Sequence, residues 1–527
     1  MPTSIPLAGL PQFATLNSDS AAPSTTPTQL RGLARFTAEH RAQLADALLA
    51  DLRRWDAPEA ACAAAELLRQ PNTYAVVTGQ QAGLLTGPLY SIYKAIGAAI
   101  HARLLAEQHP EFQFVPVFWI EGDDHDIAEA SAIGLLDRAG KPATLRYDDG
   151  DARPLHVGDR VVTHSAISAL AEALSEQLLP TDFSDAAAGL LAESYRPGET
   201  LADGFARAFY AMLGDTPIVL LSSRSAGLKR LAGDLFAAAI QNRDQAFRLL
   251  SDSTESLRGA GLPAPIEPKP GMLFLTHEGQ RRGLEPEGDG YRIKGADAWI
   301  AETELAEIAA NAPERLSPNV VLRPIIQDGM LPTAAYIGGP AELAYQRQIA
   351  PLYQLFGMEP PQLIARPFAT LLEPKARRVI EQGKWGLPQL LNPEFDPATA
   401  LLDNQMNAEL QAAAERAIAL VGNAEQELAE ITGAIDASLK GALGAAATAA
   451  RKQFDDFSKR LRSALKKREQ TEIDRLAAAQ TLLLPGGALQ ERFLNPIYLI
   501  NKFGLEGLRR VLHQLEAGEG VMQVIEV

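Results

Sequence analysis

The chain has 527 residues, 46% of them hydrophobic and 22% charged, with a formal net charge of −16. That length predicts more than one domain. The acidic balance disfavours non-specific nucleic-acid binding, which needs a basic footprint, and no apolar run of about eighteen residues is present to cross a membrane.

Residues 1–30, rich in Ser, Thr, Pro and Ala, read as an extended surface arm. No basic stretch followed by an apolar one marks a secretory leader. Helical periodicity covers about 34–50 and 58–69. The one cysteine, Cys62, lies in the second of these, in an Ala-rich context. A small packed residue is its plain reading. A disulfide within the chain is excluded, and a reducing cytoplasm is the expected setting.

A strand at 74–78, a Gly-rich loop at 79–88, a helix at 89–107, a strand at 114–120 and an acidic loop at 121–126 follow. This order predicts a parallel sheet. Ligands bind at the carboxyl ends of strands in such sheets. Gln80, Gln81, Thr86, Asp123, Asp124, His125 and Asp126 are therefore expected on one rim. Segment 141–165 reads as short antiparallel excursions, followed by helices at 166–179, 184–193 and 199–213, a core strand at 217–223 and a helix at 226–250. Residues 262–300 read as an inserted β-rich subdomain. The core resumes with the runs 320–327 and 333–340, a helix at 340–356 and a strand at 362–367.

From 400 to 480 the chain is almost free of proline. Apolar positions recur at three and four from Met406 through Leu410, Ala413, Ala417, Val421, Ala424, Leu428 and Ile431 to Ile435. They recur again from Leu443 through Ala450, Phe454, Phe457 and Leu461 to Leu465. This is a coiled-coil seam, broken near 432–440. The first helix carries acidic residues such as Glu425 and Glu427, and the second basic ones such as Arg451 and Lys459. Opposite charge favours an antiparallel hairpin, while the excess base could face a second protomer. The expected fold class is α/β: a parallel-sheet core over 1–395 with inserts at about 140–215 and 255–310, a helical coiled coil over 396–481, and a segment 482–527 packing back on the core.

Three clusters carry candidate chemistry. In TGQQAGLLTGP, glycines and a helix start suggest backbone amides facing an anion; a packing turn is the alternative. Gln80, Gln81, Thr86, Gly87 and Tyr90 are its candidate binding residues. In EGDDHD, crowded carboxylates call for a cation or a substrate ammonium. Asp124, His125 and Asp126 are its catalytic candidates and Asp123 a binding one. The alternative is a solvated loop with Asp126 as a helix cap. No zinc motif is present, and no metal ligand is assigned. In NVVLRPIIQDG and TAAYIGGPAELAYQRQ, Arg323 suits a carboxylate or phosphate, with Gln327, Gly338, Gly339 and Glu342 beside it. An internal ion pair is the alternative for Arg323. NPIYLINKFG adds Asn501 and Lys502.

These blocks, with LPGGALQERFLNPIYLINKFGL, resemble the BshC family, the cysteine ligases of bacillithiol biosynthesis. The resemblance runs in order from about 73 and is weak over 140–310. It implies a Rossmann-like core with inserted connecting segments and a coiled coil that makes a homodimer. It further implies the last step of bacillithiol synthesis, joining cysteine to glucosaminyl-malate through an amide. Such a ligation requires an activated carboxylate. ATP with magnesium is the candidate cofactor, although no HIGH or KMSKS signature is found. On this reading the 79–88 loop binds an anionic group, an aspartate of the acidic loop holds an ammonium, His125 serves as base, and Arg323 and Lys502 offset negative charge. Two alternatives stay open: another nucleotide-dependent ligase or transferase, and a non-catalytic ligand-binding assembly protein.

Overall fold

The computed structural model describes residues 4–13, 30, 35–382, 385–405, 408–518 and 520–527. Most of the expected arm over 1–30, and seam position Met406, lie outside the described residues. The chain divides into two compact units, Met1–Leu372 with Ala488–Val527, and Glu373–Gly487. No helix among the described residues is long and apolar enough to cross a membrane.

In the first unit, β1 (Ser4–Pro6) and α1 (Ala38–Arg54) precede β2 (Thr73–Gln81), α2 (Leu89–Gln108) and β3 (Gln113–Glu121). A hairpin of β4 (Ala132–Leu136) and β5 (Pro142–Arg146) comes before β6 (Val219–Ser222). Strands β7 (Leu273–His277), β8 (Gln280–Glu287), β9 (Gly290–Ile293), β10 (Trp299–Ala301) and β11 (Leu316–Pro318) form the expected β-rich insert, an antiparallel sheet in the order β10-β9-β8-β7-β11. Then come α3 (Leu322–Met330), β12 (Thr333–Gly338), α4 (Pro340–Ile349), β13 (Gln362–Ala365) and β14 (Phe368–Leu372). After the second unit, α5 (Pro496–His513) and β15 (Val521–Glu526) complete the first.

The central sheet is parallel, in the order β13-β12-β2-β3-β6. Its strands are near-continuous apolar runs because both faces are covered; β2 is buried from Thr73 to Gly79. The chain passes outward from β2 to β3 and β6, then starts again on the other side of β2 with β12 and β13. The order reverses between β2 and β12, and ligands of open α/β sheets bind at such a switch.

Three elements differ from the sequence expectation. The run 320–327 lies mainly in a helix, α3, because Asn319 caps it: its Oδ1 accepts from the Val321 and Leu322 amides at 2.9 and 3.2 Å. A short apolar run alone does not separate helix from strand. The expected helix 226–250 is broken into Ala226–Leu231, Gly233–Gln241 and Arg243–Gly259. Residues 4–6 form a strand paired with β15, which also pairs with β14.

The second unit contains α6 (Ala408–Ile435) and α7 (Leu439–Arg468), and a following helix at Gln470–Leu483. The break falls where expected. Asp436 closes it by accepting from the Ser438 amide at 2.8 Å. Glu425 and Arg451 pair across the hairpin. The seam is not buried within one chain: Leu428, Ile431, Phe454 and Phe457 are exposed, and Ile435 is 76% exposed.

Candidate functional site

The register of the central sheet builds the rim. β2 and β3 run in step from Thr73 beside Gln113 to Gln81 beside Glu121, so both strands end together. Gln81 Nε2 then donates to Asp124 Oδ2 at 2.9 Å. Gln80 Nε2 donates to Tyr90 Oη at 2.8 Å, and Gln80 Oε1 accepts from Lys94 Nζ at 3.2 Å. Lys94 also donates to the Gly79 carbonyl and, at 2.8 Å, to Glu342 Oε1. Tyr336 Oη donates to the same Glu342 oxygen at 2.9 Å, and the Gly339 amide to the other. Hydrogen bonds thus link β2, α2, β12 and α4 at the switch point.

Arg323 stands beside this network. Its guanidinium donates to Tyr345 Oη at 2.8 Å and to Gln327 Oε1 at 3.0 Å, and lies 5.9 Å from the Tyr336 ring centre. Its hydrogen-bond partners are neutral, and no carboxylate among the described residues forms an ion pair with it. Burial alone would raise the Glu342 carboxyl, but Lys94 holds it below its ordinary value. Burial, and then the adjacent Asp123, push the Glu121 carboxyl up. Burial pushes the Tyr90 hydroxyl up to about 12.

The acidic loop separates into different roles. Asp123 is buried, with Oδ2 accepting from Lys229 Nζ at 2.7 Å and Oδ1 from Arg224 Nη1 at 3.0 Å. Burial alone would raise its carboxyl; Lys229, then Arg224, hold it below its ordinary value. Both oxygens are committed to an internal triad that ties β3 to the turn after β6, so Asp123 is not presented to a substrate. Asp126 Oδ1 accepts from the Ala128 and Glu129 amides at 3.1 and 3.2 Å and caps the short helix Ile127–Ala130. Asp124 and His125 are left part-exposed on the rim side, with Asp124 Oδ1 accepting from the His125 amide at 2.7 Å.

The Gly-rich loop does not form the anion cradle expected of it. The Ala82 amide donates to the Glu121 carbonyl, Leu85 to Tyr195 Oη, Gly87 to the Leu84 carbonyl and Leu89 to the Leu494 carbonyl. Asn495 Nδ2 holds the Leu84 and Gly87 carbonyls, each at 2.9 Å. The glycines serve packing. A Cβ on Gly79 would sit 2.8 Å from the Trp119 carbonyl oxygen, and one on Gly83 3.0 Å from Gly87 Cα. Thr86 is fully buried, with φ at 72°. Gln80, Gln81 and Tyr90 supply the loop's side chains to a cavity of about 360 Å³, shared with Glu129, Arg146 and Arg492.

The remaining sequence candidates are dispersed. Gly338 packs against Tyr336 and Glu342, and Gly339 is the N-cap of α4. Asn501 is buried and donates to the Leu179 carbonyl at 2.9 Å; Lys502 donates to Tyr498 one turn back on α5. A larger cavity, about 860 Å³, opens beside α1 at the end of β6. Its Arg54 and Arg224 are already paired, with Asp203 and Asp123.

Sequence reasoning missed Lys94, Tyr336, Tyr345 and Arg281. Lys94 had a signal, since it stands in an otherwise apolar helical stretch, LYSIYKAI. Arg281 had none: it comes from β8 of the insert, and its Nη1 lies 3.2 Å from His125 Nδ1. Among the described residues, no three His, Cys, Asp or Glu are grouped to hold a metal ion. The Ala82, Leu85, Gly87 and Leu89 amides are likewise taken by protein acceptors.

Known proteins match most of the length of this chain. The family description "Bacillithiol biosynthesis BshC, N-terminal Rossmann-like domain" matches residues 15–367, and "Bacillithiol biosynthesis BshC, C-terminal coiled-coil domain" matches 369–527. A relative from Salinibacter ruber is 33% identical over 92% of this chain and 89% of its own length. One from Chlorobaculum tepidum is 33% identical over 88% and 84%, and one from Geobacillus kaustophilus 30% identical over 92% and 90%. All three bear the name "Putative cysteine ligase BshC".

Proposed function

The chain belongs to the BshC family of bacillithiol biosynthesis, and from that premise we propose that it is a ligase joining cysteine to glucosaminyl-malate through an amide bond. The observation that carries the reading is Arg323. A half-buried guanidinium bonded to a phenol and an amide keeps its charge for a ligand. Its planar fork suits a substrate carboxylate, and it stands at the switch point where such sheets bind ligands.

In the proposed reaction the glucosamine nitrogen attacks the activated carboxyl carbon of cysteine. With the carboxyl activated at the expense of ATP, the C–N bond forms, the C–O bond to phosphate or AMP breaks and that group leaves, and the nitrogen's proton passes to solvent. Asp124, turned to the rim by Gln81, offers negative charge to an amine. Arg323 receives a carboxylate, and Glu342 is held by Lys94 and Tyr336 at the start of α4. The uncovered seam of α6 and α7 supports a homodimer formed through the hairpin. A cytoplasmic setting is part of the same proposal, in keeping with the single free cysteine, Cys62.

Purified protein, cysteine and glucosaminyl-malate, with and without ATP and magnesium, tests the reading by mass detection of bacillithiol. Product is expected in at least one arm, and its yield falls with Arg323→Met. Absence of product in every arm from well-folded protein rejects the ligase reading.

A further inference from the structure

The insert reaches into the rim through Arg281. This side chain is buried and clamped on all sides. Nε donates to Ser317 Oγ at 3.2 Å, Nη2 to the Pro318 carbonyl at 3.1 Å, and the guanidinium carbon lies 3.5 Å from the Phe274 ring centre. The Arg281 amide donates to the Pro154 carbonyl at 3.1 Å. Nη1 lies 3.2 Å from His125 Nδ1 and 3.7 Å from Asp124 Oδ1, so that one of its two hydrogens meets the ring nitrogen and the other faces the carboxylate. Arginine is a donor only. Nδ1 must therefore accept, since an Nδ1–H would set donor against donor.

Asp124 does not reverse this. Its Oδ1 is farther from His125 Nδ1, at 3.4 Å, and already accepts the His125 amide at 2.7 Å. The loop has little freedom to rearrange. The Val157 amide holds the Asp124 carbonyl at 2.7 Å, and the Gly158 amide holds that of Gly122 at 2.9 Å. His156 bridges the Asp123 carbonyl, at 2.8 Å, to Thr276 Oγ1 of the insert, at 2.9 Å.

We infer that Arg281 is a positioning residue that locks His125 in the Nε2–H tautomer, so that His125 acts on the reaction as a hydrogen donor. The neutral ring carries one N–H, and the nitrogen opposite its acceptor bears it. Nε2 has no protein partner among the described residues, and the side chain is part-exposed. Such a group meets oxygen that gains negative charge as the carbonyl is attacked or its leaving group departs. It does not take a proton from the attacking amine, the role the sequence suggested. The inference rests on the acidic loop being part of the ligase site.

The test uses full-length protein labelled with ¹⁵N-histidine and solid-state NMR, with His125 assigned by difference from His125→Gln. The wild type is expected to show protonated Nε2 and unprotonated Nδ1 at His125. Arg281→Met is expected to move that signature toward the other tautomer and to lower kcat roughly tenfold or more, with KM within about threefold; His125→Gln should lose about 10²–10⁴-fold. Arg281→Lys, which keeps a donor, should fall between the two if the arginine acts through the ring. An Nδ1–H ring in the wild type overturns the inference without reference to activity, and needs no variant to fold. An Nε2–H ring with unchanged kcat in Arg281→Met overturns the positioning role. If His125→Gln is also fully active, the placement of the reaction at the acidic loop falls with it.

Discussion

Lys94 Nζ lies 2.8 Å from Glu342 Oε1, an ion pair that joins α2 to α4 beneath the switch between β2 and β12. The lysine side chain is 0% exposed and the glutamate side chain 25%. Removing one partner of a buried pair costs about 3–5 kcal/mol because the other charge is left uncompensated. Lys94→Met is expected to cost that much in urea unfolding. Adding Glu342→Gln should recover part of it; an equal or larger loss in the double variant would show that the lysine acts through packing instead.

The same pair sets an acid limit on stability. Lys94 depresses the Glu342 carboxyl below its ordinary value of 4.5, against the effect of burial. Above pH 4.5 both folded and unfolded states are ionised and the contribution is complete. As pH falls below 4.5 the unfolded chain takes up the proton first, so stability drops until the folded carboxyl also protonates. Between pH 6 and 3 the wild type should lose stability more steeply than Glu342→Gln. Parallel curves from thermal melts would sink this assignment.

Neighbouring aspartates should behave oppositely. Asp123→Asn strands the buried Lys229 and takes from Arg224 one of its two carboxylates, leaving it Asp159, and is expected to cost about 3–5 kcal/mol while leaving KM for the substrates unchanged at a permissive temperature. Asp124→Asn keeps a hydrogen-bonding side chain on a part-exposed site, so unfolding should shift by about 1 kcal/mol or less. Its effect should appear in kcat/KM for ligation. A stable Asp123→Asn with a raised KM would instead put Asp123 in contact with substrate.

The hairpin prediction concerns assembly. Exposed Ile431 and Phe457 belong to a seam that one chain leaves uncovered. Ile431→Glu with Phe457→Glu is expected to convert a sedimenting dimer to a monomer, with the circular dichroism of the fold retained. A dimer of undiminished affinity would place the interface elsewhere.

The site was legible in the sequence where its chemistry is local. Two apolar runs that end in TGQQ and EGDD predicted paired strand ends, and the Gln81–Glu121 register places them side by side. Asp126 carried the helix-cap signal and caps a helix. Other features depend on distant partners and left no local mark. The loop amides look free in sequence, yet Tyr195 and Leu494 take those of Leu85 and Leu89. Arg323 sat in a run whose apolar content suits strand or helix, and the Asn319 cap settles it as helix. Arg281 is one of several arginines in the insert, and its approach to His125 distinguishes it.

Asn495 grips the turn at 84–87, Glu491 binds Arg366 at 2.5 Å, and β15 pairs with β14. The first of these joins residues 411 and 408 positions apart in the chain. Strands β2 and β3 emerge early, but the turn beside Gln80 and Gln81 lacks its clamp until residue 495 has been made. A nascent chain stalled before about 490 therefore holds both strand ends and still lacks the clamp on their turn. The turn at 84–87 acquires its clamp only after the whole hairpin has been translated.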